Sequence, residues 1–476
     1  MVGIHAPGAP VAHLAYVGLH ALQHRGQEAA GLSSVDDDGI ARVQKITGQI
    51  AEGVDDDLLR SLPGSTALGH TRYSTAGGAG LINAQPVLAR YHAGDLCLVH
   101  NGNLTNATTL RSELVNGGAI FQGTIDSVVI VHLIARSRAP TPDEQIREAL
   151  MQCEGAFSLL ITIGDTLYAA RDPRGFRPLV LGRLNGAIVA ASETCALDLI
   201  GARFSCEVQP GEVLRIHGTE VTPLDPLPPT PRQAPCIFEL VYFARPDSRV
   251  FGASVDRARR AFGRRLAQEH PADGADCVFS VPDSSNSAAL GFSEASGIPL
   301  ELGLIRNHYV GRTFIHPEQT GRDFKVRIKY NPVREVIQGK SVVVVDDSLV
   351  RGTTSRSLVR MLRNAGASEV HFRIGSPPVR WPCFYGIDMP TKSELIGSRL
   401  TVPEIAAKLE VNSLGYPQAA AYAARRGNGP GCRVREGGRT WVGGARVPET
   451  KTVRRGGAMP DSPAPRFPGV ATMPGI

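Results

Sequence analysis

Four consecutive valines, Val342 to Val345, followed at once by Asp346 and Asp347 and then by Ser348, Gly352, Thr353, Thr354 and Ser355, constrain this chain more than any other stretch. An unbroken β-branched run suits a strand covered on both faces, the condition of a strand inside a parallel sheet. The two acids then fall at the carboxyl end of that strand, where open α/β sheets keep their ligand crevice. The hydroxyl and glycine residues lead into a helix expected to begin near Ser355, and bare N–H groups at the positive end of a helix favour an anion. Two carboxylates beside a bound phosphate would repel it unless they serve another purpose. Holding ribose hydroxyls, or a magnesium ion shared with a diphosphate, is such a purpose. A P-loop does not account for the pattern, because no G-x-x-x-x-G-K-[ST] occurs and the acids precede the turn. A buried strand capped by a polar turn is the plain structural alternative.

The segment resembles the signature of the type I phosphoribosyltransferases, which bind phosphoribosyl pyrophosphate (PRPP) in this way. The resemblance implies PRPP contacts from Asp346, Asp347, Ser348, Arg351, Gly352, Thr353, Thr354 and Ser355.

At 476 residues the chain has room for two or three domains. Its formal charge of +6 raises the question of a nucleic-acid partner, so its placement matters. Residues 417–476 carry ten Lys and Arg against three Asp and Glu, leaving the remainder close to electrical balance. The basic surplus belongs to a tail, and no nucleic-acid footprint is expected. No stretch approaches the roughly 18 unbroken apolar residues of a membrane helix, and no membrane association is expected. The eight cysteines are scattered, without the spacing of a secreted disulfide scaffold, so a cytoplasmic location is expected.

In the first half, Val11, Leu14, Leu19 and Leu22 share one helical face after a short opening strand. Three motifs follow: LQHRGQEAAGL, LGHTRYSTAG at Leu68 to Gly77, and LVHNGNL at Leu98 to Leu104. As a set they resemble the glutamine-hydrolysing domain of the N-terminal-nucleophile amidotransferases, an αββα sandwich. The resemblance implies that Arg72 takes the α-carboxylate of glutamine and Asp126 its α-ammonium. It assigns the oxyanion hole to Asn101 and Gly102. Taken alone, an HNG triplet is as well explained by a turn between strands. SVVIVHLIARS reads as a helix, FSLLITIGDTLYAARD as two strands around a turn, and GAIVAASETCALDLIG as a strand passing into a helix. Arg171 to Pro178, turn-rich and charged, is expected to be a loop between layers with its charges in water.

The family's nucleophile is an amino-terminal cysteine, whose own α-amine serves as base. Here the chain opens Met1-Val2-Gly3-Ile4, and the first cysteine, Cys97, sits in a strand-like stretch after the Arg72 motif. The printed chain is therefore expected not to hydrolyse glutamine. A coding frame that begins upstream, with an in-frame Cys-Gly pair, is preferred over loss of the nucleophile.

Leu224 to Pro235 is the clearest linker, its prolines lacking the N–H groups of a regular element. Beyond it, Asp276 to Ala289 reads as strand, turn and helix start, and Tyr309 to Val336 is a cationic segment carrying Arg312 and Lys329. A solvated surface loop is the simple alternative for the latter. From CIFELVYFARPDSRVFG to about Tyr416 the chain is similar to the glutamine PRPP amidotransferases, or amidophosphoribosyltransferases. This resemblance implies that Ser284 joins Asp346 and Asp347 at a magnesium site and that Arg312 and Lys329 close over PRPP. It also matches Cys236 and Cys383 to two of the four ligands of a 4Fe-4S cluster found in one branch, with no C-x-x-C to supply the others. After residue 416 the similarity stops in a Gly-, Arg- and Pro-rich tail expected to be disordered, and a frameshift is the preferred origin.

The implied architecture is α/β and α+β, with an amidotransferase domain over residues 1–230, a phosphoribosyltransferase domain over 231–416 and a tail over 417–476. The implied function is the first committed step of purine biosynthesis, making 5-phosphoribosylamine from PRPP and glutamine, with a shielded passage for ammonia. Purine nucleotides as inhibitors and a homotetramer come with the resemblance. Two alternatives stay open: an ammonia-dependent phosphoribosyltransferase whose first domain is inactive, and a PRPP-binding regulator without catalysis.

Overall fold

The computed structural model describes residues 1–73, 78, 80–308, 326, 328–389 and 391–418. Arg312, most of the cationic segment and the tail after residue 418, with Cys432, lie outside the described residues.

The amino-terminal half is built from strands β1 Val2–His5, β2 Ala29–Val35, β3 Ala41–Thr47, β4 Thr66–Arg72, β5 Val87–Tyr91, β6 Gly94–Leu104 and β7 Gly155–Ile163. It continues with β8 Thr166–Arg171, β9 Val180–Leu184, β10 Ala187–Ala191, β11 Arg203–Glu207, β12 Val213–His217 and β13 Glu220–Pro223. They form two antiparallel sheets, ordered β11-β9-β10-β1-β4-β2-β3 and β13-β12-β8-β7-β6-β5. Leu68, Val99, Leu160 and Ile188 meet between the sheets. Helices Val11–Ala21 and Thr194–Ile200 cover the first sheet through Leu19 and Leu197. Helices Ala107–Asn116, Ser127–Arg136 and Pro142–Met151 cover the second through Leu114, Ile130 and Ile146. This is the expected αββα sandwich. Each fully buried aliphatic side chain contributes about 1.5–3 kcal/mol.

The carboxyl-terminal half starts with a π-helical turn, Glu239–Phe243, and the short pair β14 Arg249–Val250 and β15 Ala253–Ser254. Next come helix Val255–Glu269, β16 Cys277–Ser280, helix Asn286–Ser296, and the antiparallel pair β17 Leu304–Arg306 and β18 Tyr330–Pro332. Strand β19 Ser341–Asp346, helix Thr353–Asn364, β20 Glu369–Ile374, helix Val402–Leu409 and β21 Ser413–Gly415 complete it. The main sheet, β16-β19-β20-β21, is parallel throughout. All four valines of β19 are fully buried, as the sequence requires. Val342 and Val344 pack with Leu358 and Phe372, whereas Val343 and Val345 pack with Leu266 and Phe292 on the opposite face.

Two expectations are corrected, and the turn offered as the plain alternative for HNG is set aside. The helix after the acid pair begins at Thr353, two residues early, because Gly352 adopts φ +77° and starts it. His100 to Leu104 is not a turn but the end of β6, paired with β7. The Arg171 to Pro178 loop is not solvated: Arg171, Asp172 and Arg177 are all buried. Asp172 accepts from the N–H groups of Phe157, Arg174 and Phe176, and Arg177 donates to the carbonyl of Tyr385 at 2.8 Å. The loop is thus a tie to the other half. The Leu224–Pro235 connection is likewise strapped down, Leu227 N–H donating to Gly211 and Ala234 N–H to Arg174.

Candidate active site

The first cavity, about 410 Å³, lies at the end of β4 and β6. Met1, His70, Arg72, His100, Asn101, Gly102 and Asp126 line it, so all four glutamine-side residues expected from sequence come together. The Asn101 Nδ2 is shut from solvent and has no partner among the described residues. A buried donor without an acceptor is expensive unless a ligand oxygen supplies one. Gly102 beside it has φ +155°, and a Cβ there would lie 2.0 Å from the Ala156 carbonyl. Gly386, from the second half, comes so near that a Cβ on it would lie 2.7 Å from the main chain of Gly102.

Asp126 Oδ2 accepts from Leu104 N–H at 2.8 Å and faces His100 Nδ1 at 3.6 Å. Burial would raise its pKa, but His100 and the backbone donors prevail and hold it below the ordinary carboxylate value. His100 is correspondingly held above the usual imidazole value, burial being outweighed by Asp126. Arg72 is buried and feels the charges of Glu28 and Asp126. A guanidinium and a carboxylate in one small cavity suit the two charged ends of an amino acid. His100 is a contributor that motif matching passed over, although it stands in the quoted LVHNGNL. Among the described residues no cysteine lines this cavity. Cys97 is buried within β6, its thiol pushed up to about 11 by burial, and cannot serve as the nucleophile.

The second cavity, about 860 Å³, opens at the carboxyl end of β19. Ser284, Lys329, Asp346, Asp347, Ser348, Arg351, Gly352, Thr353, Thr354 and Ser355 line it. Ser284 donates to Asp347 Oδ2, and Ser348 donates to Asp347 Oδ1 at 2.5 Å. Ser284 therefore does not cap the following helix, whose N-cap is Ser285. Removal from water and the adjacent charge of Asp347 push Asp346 well above the carboxylate range; burial pushes Asp347 up despite the two serines. Two adjacent acids held at such a disadvantage suit a cation. Helix Thr353–Asn364 has no side-chain cap on its first N–H groups, and Thr353, Thr354 and Ser355 of its first turn line the cavity. Arg351, though on the rim, pairs with Glu394 at 3.2 Å.

The two cavities share His24, Gln27, Tyr242, Phe243, Ser348 and Val350 as lining. Tyr242 and Phe243 belong to the π-helical turn, a form common at functional sites. Glu239, which opens that turn, is fully buried and gripped by Arg25 Nη2 at 2.6 Å and Arg177 Nη1 at 3.1 Å, both from the first half. Arg25 also pairs with buried Glu193 at 2.5 Å and stacks over Phe243, 4.7 Å from the ring centroid.

Cys236 and Cys383 both act on Arg177: burial opposes its charge, and the two cysteines with Glu239 more than offset this. They are brought to one neighbourhood, yet among the described residues no group of three or more His, Cys, Asp or Glu could hold a metal ion. The residues described do not fit an iron-sulfur cluster.

A family model described as "Glutamine amidotransferase domain" matches residues 70–199. The amidophosphoribosyltransferase of Synechococcus elongatus is 47% identical over 444 residues, covering 92% of this chain and 90% of that one. The chain belongs to the amidophosphoribosyltransferase family. The Bacillus subtilis amidophosphoribosyltransferase is 48% identical over 404 residues, covering 85% and 84%. A solved glutamine PRPP amidotransferase from B. subtilis, complexed with ADP and GMP, superposes with a TM-score of 0.84 at 46% identity, covering 90% of this chain and 92% of that one. Amidophosphoribosyltransferases are glycosyltransferases, and the fold joins an N-terminal-nucleophile amidotransferase sandwich to a phosphoribosyltransferase sheet. Among the described residues no helix is long and apolar enough to cross a membrane.

Proposed function

We propose that the chain makes 5-phosphoribosylamine, glutamate and pyrophosphate from PRPP, glutamine and water, the first committed step of purine biosynthesis. The observation that carries this is the meeting of two cavities on one wall, one lined for an amino acid and one built on paired acids at a strand end. In the first, Arg72 and Asp126 hold the charged ends of glutamine, while Asn101 Nδ2 and the Gly102 N–H meet the oxygen that becomes negative as the amide is attacked. In the second, ammonia attacks the anomeric carbon of PRPP and pyrophosphate leaves with the bonding pair. Ser348, Thr353, Thr354, Ser355 and the first N–H groups of the helix grip the sugar phosphate, with Lys329 toward the leaving group; Arg312, outside the described residues, is assigned the same role by resemblance to the family. Asp346, Asp347 and Ser284 would hold magnesium, which when bound neutralises charge on the departing diphosphate. The common wall keeps ammonia from water, where it would become ammonium.

We assign residues 1–230 to the amidotransferase domain, 231–416 to the phosphoribosyltransferase domain and 417–476 to a tail. We also propose a homotetramer in the cytoplasm, inhibited by purine nucleotides; the nucleotides in the B. subtilis structure support the last.

That no cysteine among the described residues lines the first cavity favours a second reading, in which residues 1–476 use ammonium alone. Pyrophosphate release with ammonium or glutamine, in this chain and in one extended by an amino-terminal Cys-Gly, separates the two. Ammonium should support both proteins and glutamine only the extended one. Saturable PRPP binding without turnover in either would leave a regulator instead.

A further inference from the structure

Helix Val255–Glu269 carries Arg257, Arg259, Arg260, Arg264 and Arg265, and one of them differs from its neighbours. Arg260, Arg264 and Arg265 form ion pairs with acids at the surface. Arg259 is 2% exposed and spends its donors on backbone carbonyls. Its Nε donates to Leu240 at 2.9 Å, its Nη2 to Ala244 at 2.6 Å, and its Nη1 reaches the Ser284 carbonyl at 3.4 Å. Leu240 and Ala244 lie at the two ends of the turn that carries Tyr242 and Phe243, and Ala244 N–H closes that turn on the Glu239 carbonyl at 3.0 Å. Ser284 is the residue whose hydroxyl holds Asp347.

We infer that Arg259 is a positioning residue that ties the loop seating Ser284 against Asp347 to the wall between the cavities, so that occupancy of the PRPP cavity stiffens that wall. Resting on the PRPP assignment above, the inference adds a residue and a physical link. A planar fork can hold three carbonyls in fixed relation, which a single ammonium cannot. Arg25 and Arg177 anchor the turn's first residue from one half of the protein and Arg259 anchors its backbone from the other. A displacement at Ser284 therefore has a rigid route to Tyr242 and Phe243, the kind of contiguous element that carries coupling between sites.

Amide hydrogen exchange of the full chain, with and without PRPP and magnesium, tests this. In the wild type, ligand should slow exchange at residues 239–244 as well as at 283–287. In Arg259→Lys the response at 283–287 should persist and that at 239–244 should vanish, with PRPP bound about tenfold more weakly by calorimetry, the scale of one lost charge-assisted hydrogen bond. Arg259→Gln serves if the lysine variant fails to fold. A wild-type response confined to 283–287, or an undiminished wall response in Arg259→Lys, overturns the inference. So does loss of both responses with a lowered Tm, the mark of a merely structural role. A wild type silent at both segments removes the PRPP assignment and this inference together.

Discussion

Asp346 and Asp347 show most directly how one residue can weaken a fold and make a site. Withdrawal from water, and for Asp346 the charge of its neighbour, raise both pKa values, so the folded chain holds these protons more tightly than the unfolded chain does. Stability then falls as pH rises from the ordinary carboxylate value, about 4, through the raised values of the folded state. Asp346→Asn should accordingly raise the Tm of the ligand-free protein at pH 7, an advantage that disappears below about pH 4. The same substitution should lower ammonium-dependent pyrophosphate release by about a hundredfold or more, the scale of losing a preorganised electrostatic contact. Melting curves at several pH values and a pyrophosphate assay check the two halves of this prediction.

Among elements, the π-helical turn is the most demanding, because its fully buried acid sits between two guanidiniums. Glu239→Gln leaves Arg177 buried without a carboxylate and Arg25 with Glu193 alone, and should cost about 3–5 kcal/mol, measurable by denaturant unfolding. Nothing in ELVYF announces this role. The partners of Glu239 lie 62 and 214 residues away in sequence, and no local periodicity records such pairings. Strand β19 is the opposite case: its valines declare burial on both faces by composition alone, and the acids follow from the strand's end. The Arg171 to Pro178 loop misleads because charges in a turn ordinarily face water, whereas here Asp172 is consumed by three backbone donors. His100 and Arg259 escaped notice for a related reason, since an imidazole beside an asparagine or one arginine among five on a helix carries no mark of its partner.

The whole molecule depends on contacts between its halves. Phe176 stacks on Tyr385 at 4.2 Å, Asn103 Nδ2 donates to the Phe384 carbonyl at 2.9 Å, and Arg177 reaches Tyr385 and Glu239. Residues 1–230 and 231–416 produced as separate chains should each be poorly soluble, since each would expose charged and aromatic groups now sealed in the junction. Co-expression should recover a complex detectable by size-exclusion chromatography, and soluble, independently folded halves would contradict this. The close approach of Gly386 to Gly102 carries a consequence for the history of such proteins. One half's main chain completes the cavity proposed for glutamine in the other, so a foreign sugar-phosphate module could not be grafted on unless it brought a side-chain-free residue to that same spot, and the two parts must change in step.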